Sequence, residues 1–279
     1  APRWMRTSGW DMPGSRAGRT GWPRGQMAIL LFPLVAGPAR AQAPPNPREA
    51  QPERPTVATH AYAVAPGYAE LEAGWEWDHN SDGTRGWAVP LLLKVGIVGR
   101  VQAGLQLTLL QPPGMGLGVG DLALVGKRGF PSVGPLLGDL AVQAGLKLPI
   151  GAGVRSTGTT DVSLLLVSSH QLGAVSLDLN LGYTRRSGSG GAAPRNSTLV
   201  TVAGGWPVAS PLGFTVEVFA YPGTSGPAGS PAAVALLGGP TWRLSPAAAL
   251  DLGGIVRLTG SQANAVYAGI TWNLGRLLP

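Results

Sequence analysis

Apolar side chains alternate with polar or small ones over much of the chain. In residues 139–149, Leu140, Val142, Ala144, Leu146 and Leu148 alternate with Ala141, Gln143, Gly145, Lys147 and Pro149. In residues 175–184, Val175, Leu177, Leu179, Leu181 and Tyr183 alternate with Ser176, Asp178, Asn180, Gly182 and Thr184. A period of two is that of a strand, whose successive side chains point to opposite faces. About twelve such segments follow residue 68: 68–77, 86–95, 100–110, 117–128, 139–149, 160–169, 174–186, 197–206, 212–221, 232–243, 248–259 and 264–274. Helical spacing is scarce, and no apolar run is long enough for a membrane helix. The pattern predicts an all-β chain. A soluble sheet with one wet face would show it, as would a transmembrane barrel with lipid outside and water inside.

The connections favour the barrel. Those after even strands are short, at 96–99, 170–173, 207–211 and 244–247. Those after odd strands are longer and polar or Gly-rich, at 78–85, 150–159, 187–196 and 222–231. Periplasmic turns and outer loops alternate in this way, and an even strand count places both ends of the barrel on the periplasmic side. Two connections fit less well: 129–138 is long for a turn, and 260–263 is short for an outer loop. Tyr68, Trp75, Trp77, Trp87, Tyr183, Trp206, Tyr221, Trp242, Tyr267 and Trp272 fall mostly near strand ends. Aromatic girdles at the two membrane interfaces predict that placement. The expectation is an antiparallel transmembrane β-barrel of about 12 strands over residues 65–279.

Upstream, Met27 opens a short apolar run, Arg24 precedes it, and Ala39-Arg40-Ala41 forms an A-x-A site. This is the anatomy of a secretory signal. Residues 1–41 are therefore expected to be leader and signal peptide, with 1–26 an extension upstream of the true start. Residues 42–64 are Pro-rich and mostly polar, and are expected to be a disordered or extended lead-in.

Composition narrows the functional classes. Charged residues are only 13% of the 279, whereas Gly (43) and Pro (26) are abundant, which suits many turns more than a soluble enzyme. There is no cysteine, so disulfides and thiolate metal sites are excluded. The net charge is +7, but six Arg and one Asp fall within residues 1–41, leaving 15 Lys/Arg against 13 Asp/Glu. The strand-forming part has no basic excess of the kind nucleic acid requires. His60, His79 and His170 are scattered without ligand spacing, so no metal or cofactor is expected. Ser168, Ser169 and His170 are consecutive at a strand end and are expected to point apart or into a turn, which gives no catalytic site. Residues 114–120 lack the G-K-[ST] of a phosphate loop and lead into a strand.

The remaining candidates are polar residues on the inward parity: Glu70, Glu72, Gln102, Gln106, Asp121, Lys127, Gln143, Lys147, Asp161, Asp178, Asn180, Glu217, Asp251 and Arg257, with Glu76, Arg186 and Asn273. A charge on the lipid face costs a few kcal/mol, so these should line a lumen. Lys127 and Lys147 should lie on neighbouring strands near Asp121 and Asp161, and pairing within a filled interior is the first expectation. A lining of both signs suits a small or plugged pathway.

The order of motifs also resembles a known family. VPLLLKVG (89–96) leads through a turn into RVQAG (100–104). GVGDLALVGKR (118–128), GLKLPIG (145–151), STGTTDVSLLLVSSHQLG (156–173) and LNLGYTRRSG (179–188) follow. From residue 62 onward the chain resembles the outer-membrane transporters of the MetA pathway of phenol degradation. The resemblance implies an outer-membrane barrel, small and often aromatic permeants, outer-membrane lipid around it, and insertion by the barrel-assembly machinery. The chain departs from many such barrels by ending WNLGRLLP (272–279) instead of on an aromatic residue. The expected function is passive passage of small molecules. The rivals are a structural or adhesive closed barrel and a soluble secreted β-barrel or sandwich that binds lipid.

Overall fold

A computed structural model describes residues 46–187, 194–225 and 229–278; the leader expected over 1–41 lies outside them. Twelve strands form one closed antiparallel barrel, each paired with its neighbours in sequence and the last with the first. They are β1 (Tyr68–His79), β2 (Arg85–Val98), β3 (Val101–Gln111), β4 (Gly118–Gly134), β5 (Gly138–Leu148), β6 (Asp161–Leu172), β7 (Val175–Arg186), β8 (Asn196–Ala209), β9 (Leu212–Tyr221), β10 (Ala233–Ser245), β11 (Ala248–Thr259) and β12 (Asn264–Arg276). Closure leaves no edge strand, so the wall's backbone groups pair within the wall, as a lipid setting demands.

The connections alternate as expected. Those after even strands span 99–100, 135–137, 173–174, 210–211 and 246–247, and those after β5, β7 and β9 span 149–160, 187–195 and 222–232. The long 129–138 connection disappears because β4 continues to Gly134, across a register irregularity between Phe130 and Gly134. Ser132 takes a positive φ of 52° there and accommodates the irregularity. The link over 260–263 is as short as its sequence suggested.

Side-chain alternation sorts the wall into two surfaces. Leu124, Leu146, Leu164, Leu181, Val202 and Leu252 point outward, and each is at least 38% exposed. A large continuous apolar exterior of this kind belongs against acyl chains. Trp75, Trp77 and Tyr183 are exposed toward one end of the barrel, and Trp206, Trp242 and Trp272 toward the other. Tyr183 pairs with Thr198, and Trp206 lies eight residues further along β8. That separation is about 27 Å along a strand, or about 20 Å across a bilayer at the usual tilt, close to the height of an apolar band. Tyr221 and Tyr267 do not join these girdles. They point inward, where Tyr267 is only 3% exposed and Tyr221 packs at the margin of the interior cluster.

The Pro-rich stretch departs most from expectation. Residues 46–67 are neither disordered nor outside the barrel; they form a plug inside it. The segment enters beside the β10–β11 turn, where Ala50 N–H donates to Pro246 O at 2.8 Å and Asn273 Nδ2 to Pro47 O at 3.2 Å. It rises to about mid-height and turns back. It leaves at the same end, where Gly67 N–H donates to Gly96 O at 2.8 Å just before β1 begins. Val57 and Ala61 join an apolar cluster with Leu165, Val167, Phe219 and Leu237 of the wall. The interior thus has an apolar side, largely on β6 and β8 to β12, and a charged side on β1 to β5.

Candidate functional site

An irregular segment inside a barrel has no ladder to satisfy its N–H groups, and leaving them bare would be costly. Wall side chains take that role. Gln51 N–H donates to Glu70 at 2.7 Å and Glu53 N–H to Glu72 at 2.8 Å. Glu217 accepts from Val57 N–H at 2.6 Å and from Ala58 N–H at 2.7 Å. Asn180 reads Thr59 both ways, accepting from its N–H at 2.8 Å and donating to its carbonyl at 2.9 Å. Ser169 Oγ accepts from Ala61 N–H at 2.8 Å, and Gln102 Oε1 from Val64 N–H at 2.9 Å. Hydrogen bonds to charged acceptors are each worth about 1.5–3 kcal/mol, so the carboxylates contribute most to this docking.

Ion pairs add to it. Lys94 Nζ lies 2.5 Å from Glu70 and 2.6 Å from Glu72, and donates to Gln51 O at 2.6 Å. Lys127 Nζ is 2.5 Å from Glu53 and donates to His60 O at 3.2 Å. Arg54 lies against the adjoining strands β12 and β11, where it pairs with Asp251, at 3.1 Å from Nη2 and 3.3 Å from Nε, and donates to Ala268 O at 3.3 Å. Its guanidinium lies in a notch between Gly74 of β1 and Gly269 of β12, which are directly paired. A Cβ on Gly74 or Gly269 would come within 2.2 or 2.3 Å of Arg54 atoms. Gly96 is constrained similarly, since a Cβ there would lie 2.2 Å from Ala65 O.

Within the plug, burial would raise the Glu53 carboxyl pKa, but Lys127 and Lys94 outweigh it and hold the group well below the usual range. Burial, and then the charge of Lys127, push the His60 imidazole down to about 3. A neutral ring agrees with His60 Nδ1 accepting from Tyr62 N–H at 3.2 Å.

A second polar cluster occupies the opposite half. Lys147 Nζ is 2.7 Å from Asp121 and 3.3 Å from Asp161, and donates to Thr159 O at 2.9 Å and to Thr157 Oγ1. Arg186 lies 3.4 Å from Asp161 and donates to Pro194 O at 2.8 Å. Together with Arg155 on Leu110 O and Gly116 O, these contacts draw the 149–160 loop against the rim. Lys127 and Lys147 do lie on adjacent strands, but only Lys147 pairs with Asp121 and Asp161; Lys127 pairs with the plug.

The other residues picked from the sequence are distributed as follows. Gln106, Gln143 and Asn273 are buried on the interior face, and Glu76 joins them at 8% exposure. Gln106 has no hydrogen-bond partner among the described residues at either end of its amide. Asp178 accepts from Ser169 Oγ. Arg257 stands at the rim and donates to Gln262 O at 3.2 Å in the β11–β12 turn. Reading the sequence missed Lys94, because Ala88, Pro90, Leu92 and Lys94 alternate with Val89, Leu91, Leu93 and Val95 and both faces look apolar. The lone charge in that run was the available signal. Glu53 and Arg54 were missed because their segment has no periodicity.

Of Ser168, Ser169 and His170, expected to point apart or into a turn, Ser168 and His170 lie together against the β4–β5 turn and Ser169 points the other way. Two residues apart on one strand, Ser168 and His170 share a face, with Ser168 Oγ 2.8 Å from His170 Nε2. Ser168 Oγ also donates to Leu137 O at 2.8 Å, so the imidazole supplies the proton between them. The pair fastens the β4–β5 turn; Ser169 faces the interior instead. Among the described residues no group of His, Asp and Glu is arranged to hold a metal.

Beyond the plug lies a vestibule. Plug residues 53–59 form its floor, and Glu76, Leu92, Gln143, Leu165, Leu237 and Ile255 contribute to its walls. It holds about 50 Å3 of water-sized space. A cavity that admits benzene is about 150 Å3, so this space takes water but not an aromatic ring while the plug is docked.

This arrangement, a closed antiparallel barrel with an apolar exterior, two aromatic girdles and a polar plugged bore, is that of a transmembrane β-barrel. Solved structures agree on the fold. An outer-membrane channel of Pseudomonas putida F1 described as COG4313 superposes with a TM-score of 0.60 at 12% identity, over 76% of this chain and 98% of that one. The KdgM porin, solved with oligogalacturonate, gives 0.53 at 10% identity over 73% and 98%. The NanC porin gives 0.53 at 10% identity over 74% and 100%. No family model and no curated relative matches the sequence.

Proposed function

We propose that the chain is a channel of the bacterial outer membrane for passive passage of small molecules, held closed at rest by residues 46–67. The observation that carries this reading is a bore with polar lining obstructed by a segment that is not part of the wall. Such a segment can shift without breaking the barrel, because its contacts to the wall run mostly through side chains. The structural neighbours named as a channel and as porins support the same reading at the level of fold. The apolar side of the interior favours permeants with a small hydrophobic or aromatic body, the class implied by the resemblance to transporters of phenol degradation. Export through the leader over 1–41, insertion by the barrel-assembly machinery and a belt of outer-membrane lipid complete the proposal. No step requires a cofactor or a chemical reaction.

The test is uptake of aromatic hydrocarbons and of sugars by cells with and without the protein, together with liposome swelling by the purified chain. Passage of the small aromatic compounds supports the reading. A bilayer that stays sealed to every solute, even after the plug is weakened, would favour a structural or adhesive closed barrel, the reading for which the plug itself speaks.

A further inference from the structure

We propose that the interior wall around Glu217 is a binding site for small organic cations carrying a primary ammonium on an apolar body. Residues 57–61 of the plug occupy that site as a built-in competitor. The route by which a ligand arrives rests on the channel reading above; the chemistry of the site does not.

Glu217 is fully buried. Its cross-strand neighbours are Ala203 on β8 and Leu237 on β10, both apolar and buried. A carboxylate in such a setting must be given donors. The plug gives it two, the N–H groups of Val57 and Ala58, and places the Val57 side chain in the apolar cluster that contains Phe219 and Leu237. Two donors beside one compact aliphatic group are also what an alkyl- or arylalkylammonium presents. An ammonium would add the attraction of a full positive charge to hydrogen bonds that the carboxylate already makes charge-assisted.

Two further observations point to a ligand other than the plug. Asp178 pairs in register with Ala203, which pairs with Glu217, so a second carboxylate lies about 10 Å away across one methyl group. The site therefore attracts cations and repels anions. Thr201, between Asn180 and Phe219 in the adjacent row, is 1% exposed, and its hydroxyl has no partner among the described residues. The plug leaves this buried polar group unused.

Access follows from the vestibule. Its floor includes Val57 and Ala58, and its walls include Leu165 and Leu237. That space takes water but no aromatic ring while the plug is docked, so a larger solute reaches Glu217 only as this stretch of plug undocks. Because ligand and plug use the same carboxylate, binding of one excludes the other, and a bound cation shifts the population toward the undocked plug.

The probe is 2-phenylethylammonium, with 3-phenylpropionate as the anion of matched size. Both are titrated calorimetrically into the full chain in detergent micelles, and amide hydrogen exchange is followed at residues 57–61. The expected result is saturable binding of the amine alone and exchange at Val57 and Ala58 faster by about tenfold or more. Glu217→Gln should weaken amine binding by about tenfold or more, and Glu217→Asp should retain it. Heat-modifiable gel migration establishes that each variant is folded. Equal binding of the carboxylate, undiminished binding by folded Glu217→Gln, or unchanged exchange would overturn the proposal. Planar-bilayer recording separates it from the channel reading. Amine binding by a protein that never conducts leaves the site and removes the channel; conduction with no amine binding does the reverse.

Discussion

Replacing Arg54 with Ala removes the plug side chain that forms an ion pair with the β11–β12 side of the wall. The substitution loses the two contacts to Asp251, at 3.1 and 3.3 Å, and the one to Ala268 O. It also leaves the Asp251 side chain, 5% exposed, without its cation. Breaking a buried pair by removing one partner costs about 3–5 kcal/mol. The Arg54 side chain is itself 14% exposed, so the lower end applies, about 3 kcal/mol. At 1.4 kcal/mol per factor of ten, the undocked fraction of the plug rises about 150-fold. Because the chain contains no cysteine, a single Val57→Cys serves as a clean reporter. Val57 is 4% exposed when docked, and cysteine packs as a small apolar residue. The rate of labelling by a membrane-impermeant maleimide then tracks the undocked fraction. Arg54→Ala is expected to accelerate it by about two orders of magnitude. Labelling at the parent rate in Arg54→Ala would refute the reasoning, because the plug would then be held without its latch.

Gly269→Ala places a methyl 2.3 Å from Arg54 Nε and should accelerate the same labelling by about tenfold; combined with Arg54→Ala it should add nothing further. Leu181→Arg, on the lipid face at mid-strand, should cost about 2–4 kcal/mol in reversible urea unfolding from liposomes, and a change below about 1 kcal/mol would contradict the membrane-facing assignment. Acidification should undock the plug. His60 is held at about 3 against an ordinary 6.5, so the docked state binds fewer protons than the free one between those values, and docking weakens as pH falls below 6.5. At pH 5 the loss is about 2 kcal/mol, which should appear as an open fraction about 30-fold larger than at pH 7.5 in bilayer recordings. The lowered Glu53 pKa acts in the same direction, since protonation at low pH removes its pairing with Lys127.

The barrel was legible because its physics is local and repetitive. Lipid outside and polar groups inside impose a period of two on strands such as β5 and β7, and the alternation of short and long connections added the topology. The plug was not legible, because nothing in residues 46–64 repeats. Their conformation is fixed by contacts distant in sequence, such as Val57 to Glu217 or Ala61 to Ser169. The same asymmetry explains the candidate site. Glu70, Glu72, Gln102, Asn180 and Glu217 could be assigned to the interior from parity, but that they read a peptide backbone required knowing what lay opposite them. Tyr221 and Tyr267 were misplaced for a related reason. A tyrosine near a strand end suits a girdle by composition, and only the parity of its own strand determines which side it faces. The charges of both signs inside did announce a narrow or filled bore, and the plug is what fills it.

The central claim is that residues 46–67 close a bore that is otherwise open. Planar-bilayer conductance of the full chain and of a variant lacking residues 46–66, recorded side by side, tests it most directly. The account predicts rare, brief openings from the full chain and steady conductance from the shortened one. Two equally sealed bilayers, with both proteins shown to be folded and inserted, would contradict it.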